Sequence, residues 1–214
     1  MAIEMAQRAA RWAGFSLTSD QELLLETFAQ WLVDEAIPAG GLGPREAERL
    51  WSRHLGDALT FAVGWADQPP EELLDVGSGV GLPGVPLAIL WPETIVTLLD
   101  RGGRRTRLLN RIRRILALEN IVVAQGDIFA LADEWQALTF RGAVKAPEAV
   151  GLSAKILPPG GRSVLGLSRR PTPPETTRDL EGIAAALQLS TELIQVPAEI
   201  LDGPAWLLKM QLGE

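Results

Sequence analysis

The chain contains no cysteine, no tyrosine and a single histidine among 214 residues. Without cysteine there is no disulfide frame and no thiolate metal site, and one histidine falls short of the ligand set of a histidine-based zinc or iron centre, so no metal is expected. Long hydrophobic runs are missing too. No stretch approaches 18 apolar residues, and the opening MAIEMAQRAARW mixes charges through its apolar positions, unlike a signal peptide; the chain reads as cytoplasmic, with no membrane span. Positive charge is scarce: 20 Lys and Arg stand against 27 Asp and Glu, a net −7, which argues against a protein that grips nucleic acid with its whole surface. What is present is an ordinary globular composition, 47% hydrophobic, and enough length for one good-sized core or for one domain with a helical extension. The basic residues are also unevenly spread. Seven arginines lie between Arg101 and Arg114, which leaves room for a local basic face on an acidic body.

Periodicity divides the chain in two. Residues 1–66 read as an all-helical segment: Thr18 and Ser19 each precede Gln21 and Glu22 by three residues, a capping-box signature, and Leu23, Leu24, Phe28, Trp31 and Leu32 follow at helical spacing. The break 38-PAGGLGP-44 ends that helix, and a second is expected from residue 44 to about 64, with Ala47, Leu50, Trp51, Leu55, Ala58 and Leu59 inward. From residue 67 to 214 the texture is different. Short apolar runs at 72–77, 94–100, 120–127, 139–145 and 162–168 alternate with helical stretches near 84–91, 103–117, 147–157 and 176–187, the pattern of a parallel sheet built from βαβ units. Two further strands, 189–197 and 204–212, follow with a loop and no helix between them. Parallel units closed by an antiparallel hairpin are the layout of an α/β, Rossmann-like class I methyltransferase sheet, here with a helical N-terminal extension.

The stretch 74-LDVGSGVGLPG-84 sits where the first strand meets its helix. Gly79, Gly81 and Gly84 satisfy the dinucleotide-binding pattern GxGxxG, and Asp100 ends the next strand about 20 residues on. Two cofactor classes fit the glycines. The acids choose between them: Asp75 precedes the first glycine, and Gly126-Asp127 follows the third strand. A pyrophosphate wants free amides without a nearby carboxylate, whereas S-adenosylmethionine carries a sulfonium and an ammonium and no phosphate. Asp100 is then the acceptor for the ribose hydroxyls, Asp127 or its neighbouring amides meet the adenine edge, and Asp75 either faces the cofactor or orders the loop through backbone amides. An NAD-dependent oxidoreductase is the alternative that these acids and the terminal hairpin disfavour.

The run 73-LLDVGSGVGLPGVPLAILWPE-93, with 97-TLLD-100, 103-GRRTRLLN-110 and 116-LALENI-121, resembles the bacterial 16S ribosomal RNA guanine-N7 methyltransferase family, RsmG, also called glucose-inhibited division protein B (GidB). Outside it, 14-GFSLTSDQ-21, 53-RHLGDAL-59 and 195-QVPAEILDGPAWLLKM-210 are similar to the family's N-terminal entry, its His-x-x-Asp-Ser-Leu segment and its closing strands. The resemblance implies S-adenosylmethionine as cofactor and 16S rRNA or the small ribosomal subunit as partner, for a protein that acts as a monomer. Cofactor contacts carried over fall on Gly77 and Leu82, with Ser78, Gly79 and Gly81 in the same loop, on Ile128 and Phe129, and on a basic residue after the fourth strand, matched to Lys145 in 144-VKA-146. The chain departs from the family elsewhere, with Asp127 where the family has arginine and 166-GLSRR-170 where it has Lys-Gly. Two other readings therefore stay open: a relative that binds the cofactor without rRNA activity, and a small-molecule methyltransferase.

Guanine N7 offers a lone pair and carries no proton, so its methylation needs no base. The shortage of His, Cys and Tyr is then no argument against such an enzyme, and no catalytic residue is singled out. Candidate substrate contacts are His54, Arg101, Arg104, Arg105 and Lys145. His54 reads equally as a packed or capping histidine, and Lys145 as a solvated lysine. Arg104, Arg107, Arg111 and Arg114 share one helical face, with Leu108, Ile112, Ile115 and Leu116 toward the sheet; that face is either solvated or in contact with phosphates. The seven tryptophans read as core, with Trp91 and Trp135 the two placed to stack on bases.

Overall fold

The computed structural model describes residues 2–213. The first helix, α1 (Ala2–Trp12), and the second, α2 (Ser19–Trp31), open an all-helical segment. The capping box forms on Thr18: its hydroxyl accepts from the Gln21 amide at 3.3 Å, and its own amide donates to the Gln21 side chain at 2.9 Å. Within α2 the inward positions are Leu25, Phe28, Ala29 and Trp31, whereas Leu23, expected inward, is exposed.

The second expected helix is not one helix. A 3₁₀ turn (Ala47–Arg49) leads into a wide π turn (Leu50–Leu55), then α3 (Gly56–Thr60), then a second 3₁₀ turn (Phe61–Trp65). Glycine is the physical reason on both sides of α3. Gly56 costs helix stability relative to alanine, and Gly64 lets the last turn come so close to the sheet that an added Cβ would lie 2.4 Å from Val164. Leu50, Leu55, Ala58 and Leu59 point inward as expected; Ala47 is exposed.

Seven strands follow in one sheet: β1 (Glu72–Val76), β2 (Ile95–Asp100), β3 (Ile121–Gln125), β4 (Ala137–Phe140), β5 (Arg162–Ser168), β6 (Leu189–Val196) and β7 (Ala205–Leu212), in the spatial order β3-β2-β1-β4-β5-β7-β6. The first five pair in parallel, and β7 inserts antiparallel between β5 and β6. Helices α4 (Gly84–Leu90), α5 (Gly103–Ile115), α6 (Ala146–Ile156) and α7 (Thr177–Ala186) supply the crossovers, and a short α8 (Ala198–Leu201) interrupts the β6–β7 connection, where no helix was expected.

Both faces of the sheet are covered. Leu73, Val96, Leu98 and Val164 join α4, α5 and the N-terminal helices in one core; Leu74, Val76, Phe140, Leu165 and Leu208 join α6 and α7 in the other. In α5 the inward residues are Thr106, Leu109 and Ile112, and Ile115 is exposed rather than turned to the sheet. Trp91 belongs to the core, edge-on to Phe15 at 5.5 Å and to Trp65 at 6.0 Å, and Trp135 packs partly buried on the opposite face.

The fourth strand differs most from expectation. It ends at Phe140, because 137-ALTF-140 is the fully buried run, and the chain leaves the sheet at Arg141 and turns at Gly142, whose φ is +69°. The residue at the carboxyl edge of β4 is therefore Arg141, and Lys145 stands one turn of chain later, at the start of α6.

Candidate active site

The chain runs outward from β1 to β2 and β3, then crosses back to β4 on the other side of β1. This reversal opens a crevice at the carboxyl ends of β1 and β4, the place where open α/β sheets bind ligands. The crevice holds about 290 Å³ and is walled by Gly77, Asp100, Asp127, Ile128 and Phe129, with Arg101, Arg105 and the segment Gly142–Val144 completing it.

The glycine loop is shaped by close approach. Gly77 has φ +66°, and a Cβ there would sit 2.5 Å from that of Ala143 across the crevice floor; a Cβ on Gly84 would sit 2.2 Å from Leu98 and 2.7 Å from the Asp75 carboxylate. The loop's amides are already engaged. Those of Gly81 and Leu82 donate to the Ser78 carbonyl and that of Ser78 to Leu99, while Gly79 donates to Asp100 Oδ2 at 3.0 Å and Gly84 to Asp75 Oδ2 at 3.0 Å. A pyrophosphate would have to displace two carboxylates to reach such a loop. A cationic ligand meets no such conflict.

Asp75 takes the loop-ordering place of its two expected ones. It is fully buried and its carboxylate accepts from Gly84 and from the Thr139 hydroxyl at 2.9 Å; burial pushes its pKa up to about 6, and these hydrogen bonds restrain the rise. Ser78, also buried, donates its hydroxyl to the Asp75 carbonyl, and Leu82 lies in the core under the loop. Asp100 stands in the crevice wall, with Oδ1 accepting from Gly102 at 2.8 Å and Arg105 approaching Oδ2 at 3.4 Å. Asp127 caps the short turn Ile128–Ala130 by accepting the Phe129 amide at 3.0 Å; Ile128 is buried and the Phe129 ring is exposed at the rim.

A second pocket, of about 400 Å³, lies on the other side of Gly142, which lines both. The carboxyl ends of β4 and β5 and the start of β7 bring Arg141, Ser168, Arg169, Arg170 and Trp206 together there, and the N-terminal segment adds Arg53 and Asp57. Arg141 is the best-held of them. Its Nε donates to Asp57 at 2.8 Å, and its Nη2 donates to the Arg53 carbonyl at 2.9 Å and to His54 Nδ1 at 3.2 Å.

His54 is the packed histidine of its two readings. Since Arg141 donates to Nδ1, the proton belongs on Nε2, which donates to Glu46 at 2.9 Å; burial, then the neighbouring Arg141 charge, lower its pKa and keep it neutral. Of the arginine-rich stretch, Arg101, which precedes α5, and Arg105 within it reach the crevice, and Arg104 is exposed outside it. Arg111 is occupied by a two-pronged contact with Glu35, one arm at 2.7 Å. Lys145 is exposed and lines neither pocket; its amide donates to Glu148.

The residues that sequence reasoning missed are Arg53, Arg141, Ser168, Arg169 and Arg170. Arg141 was hidden inside an overlong strand. The pair Arg169-Arg170 carried a visible signal, two cations directly after a parallel strand, at the sheet edge where sites form.

A sequence model of the GidB family, described as rRNA small subunit methyltransferase G, matches residues 21–168. The chain belongs to this family. Its relatives include the ribosomal RNA small subunit methyltransferase G of Thermobifida fusca (strain YX), 39% identical over 66% of this chain and 60% of that protein, so that less than two thirds of that relative is spanned. The protein of the same name from Cellvibrio japonicus (strain Ueda107) is 34% identical over 79% of this chain and 77% of its own length. Among solved structures, the [4+2]-cyclase SpnF matches with a TM-score of 0.62 at 12% identity over 94% of this chain and 98% of that one. Aeropyrum pernix fibrillarin, solved with natively bound S-adenosyl-L-methionine, matches with a TM-score of 0.52 at 18% identity over 65% and 66%. These likenesses show the fold, and with the strand order they bear out the expected class I methyltransferase sheet.

Proposed function

We infer that the chain is an S-adenosylmethionine-dependent methyltransferase acting on N7 of a guanine in 16S ribosomal RNA. The observation that carries this reading is the crevice at the β1/β4 reversal, whose loop amides are spent on Asp75 and Asp100 and which opens, across Gly142, onto an arginine-lined pocket. The donor set fits the cofactor. Asp100 offers acceptor oxygens to ribose hydroxyls, Leu99 and Ile128 offer apolar walls to the adenine, and the amides after Asp127 stand at its edge. At the end of the fourth strand, where a basic residue is expected and Lys145 is its match in sequence, stands Arg141, which lines the arginine pocket next to the crevice floor segment Gly142–Val144.

The bound cofactor supplies an electrophilic methyl group on a sulfonium. The protein's own residues then have to hold N7 in line with that group and exclude alternatives, because N7 has no proton to lose. The reaction moves one positive charge from sulfur to the guanine ring, and the surrounding carboxylates of Asp57, Asp100 and Asp127 make that charge tolerable. No helix of the described residues is long and apolar enough to cross a membrane, and an rRNA substrate places the enzyme in the cytoplasm.

Two measurements test the reading. Calorimetry should show heat of binding with S-adenosylmethionine and none with NAD. Methyl transfer from labelled cofactor to 30S particles or protein-free 16S rRNA, taken from a strain lacking the modification, should label a single guanine. Binding of NAD alone, or labelling of neither RNA, overturns it.

A further inference from the structure

The arginine-lined pocket has more positive charge than its neighbours neutralise. Asp57 is the one carboxylate in its lining, and it is already shared: Oδ2 accepts from Arg141 at 2.8 Å while Arg169 Nη1 stands 4.0 Å from Oδ1. Arg169 is half-buried, and its hydrogen bonds go to two neutral carbonyls, those of Ser52 at 2.7 Å and Leu201 at 2.8 Å. Burial and then the approach of Arg53 and Arg141, opposed by Asp57 and Asp202, leave its pKa lowered. The Arg170 side chain makes no hydrogen bond or ion pair among the described residues; its carbonyl accepts from Trp206 Nε1. Between these cations lies Ser168, whose Oγ is buried without a hydrogen-bond partner among the described residues. Arg53 is paired with Glu46 at 3.4 Å, but a protein of net −7 still gathers four arginines and an orphaned hydroxyl around one cavity. Like charges crowded in this way, beside an unpaired donor, are costly unless an anion completes the set.

We propose that this pocket receives a backbone phosphate of the RNA strand carrying the target guanine, with Ser168, Arg169 and Arg170 as the contacts and Arg53 at the rim. The assignment rests on the rRNA methyltransferase reading and adds to it a subsite on this chain's own residues, 168-SRR-170 at the end of β5. The geometry suits the role. The pocket shares Gly142 with the cofactor crevice, so a nucleotide entering the crevice mouth has its neighbouring phosphate beside β5. Arg169 is braced by the two carbonyls, which leaves its remaining N–H groups for an oxyanion, and Trp206 holds the backbone of Arg170.

Ser168→Ala and Arg170→Gln test the proposal without disturbing the fold, since neither side chain has a partner to lose. Binding of protein-free 16S rRNA is measured against salt concentration, together with cofactor affinity by calorimetry. Arg170→Gln should weaken RNA binding about threefold to tenfold and reduce the slope of log K against log salt by about 0.7, one single-strand phosphate contact. Ser168→Ala should weaken it severalfold, whereas a purely structural hydroxyl without a partner predicts no loss. Cofactor affinity should not change. Wild-type affinity and slope in both variants overturn the subsite while leaving the methyltransferase reading intact. Inorganic phosphate, titrated onto the wild-type protein and followed by amide chemical shifts, separates the two ideas in the other direction. Shifts confined to residues 166–170 in a protein that fails to bind rRNA sustain an anion subsite and remove the rRNA substrate; their absence overturns the subsite.

Discussion

Asp75 shows how a residue can be legible by position and misleading by role. Its place before the glycines draws attention from sequence alone, but only the structure shows that the carboxylate turns toward α4, where Gly84 has no side chain to keep it out. Asp100, two registers along on the neighbouring strand, keeps the crevice-facing place expected of it. The buried position of Asp75 has a titration consequence. Its folded pKa of about 6 lies above the ordinary 3.8, so below pH 4 both folded and unfolded chains hold the proton. Between about pH 4 and 6 the folded chain alone holds it, and folding weakens as pH rises through that window; the difference amounts to roughly 3 kcal/mol by pH 7. Asp75→Asn cannot ionise. The stability of the wild type relative to this variant, from urea unfolding, should therefore be greater at pH 4 than at pH 7 by an amount of that order, and a difference that does not vary with pH would show that the carboxyl titrates normally.

At the scale of elements, hydrophobic periodicity located the strands, β4 apart, and most of the helices, because strands of a sheet covered on both faces and helices with one buried stripe write their period into the chain. It failed where apolar content and backbone geometry part company. In 139-TFRGAVK-145 the apolar residues after Arg141 belong to a turn and a helix start, and extending the strand over them hid the place of Arg141 at the strand's carboxyl end. Between residues 44 and 64 the apolar spacing is helical while the backbone is a chain of 3₁₀, π and α turns, which no side-chain period records. That irregular segment presents His54 and Asp57, both buried, to Arg141 on a loop more than 80 residues away. Asp57→Asn keeps the shape and removes the charge that faces Arg141 and Arg169. Losing a largely buried, charge-assisted hydrogen bond costs about 2 kcal/mol, which for a chain of this length lowers Tm by roughly 4–8 °C. Scanning calorimetry should show that loss, and hydrogen exchange should quicken at residues 141–145; a Tm within a degree of wild type would mean that the Arg141 contacts with His54 and the Arg53 carbonyl suffice.

On the scale of the whole molecule, the change of texture at residue 66 separates two kinds of element without separating two cores. Ala6, Phe28, Leu55 and Leu59 from the helical segment lie in the same buried cluster as Leu73, Leu87, Val96 and Val164 of the sheet region. Polar ties cross the same line: Gln21 Nε2 donates to the carbonyls of Ile89 at 2.9 Å and Leu90 at 3.1 Å, and Arg141 reaches back to Asp57 at 2.8 Å. The N-terminal segment therefore acts as the lid of one face of the sheet and as one wall of the arginine-lined pocket. A fragment of residues 67–214 would uncover the buried apolar side chains by which α4 packs on α2 and α3, together with Trp91 just beyond it, which rests edge-on to Phe15 and Trp65, an apolar surface of the kind that soluble monomers keep covered. Each of these large side chains forfeits about 1.5–3 kcal/mol when returned to water, and a few of them match the roughly 5–15 kcal/mol that holds a typical domain together. The fragment should accordingly lose its cooperative thermal transition and bind a hydrophobic dye such as ANS, with far-ultraviolet circular dichroism largely retained. A sharp transition in the fragment, with native affinity for S-adenosylmethionine, would instead make the sheet a self-sufficient unit and reduce the helices to a wall for RNA.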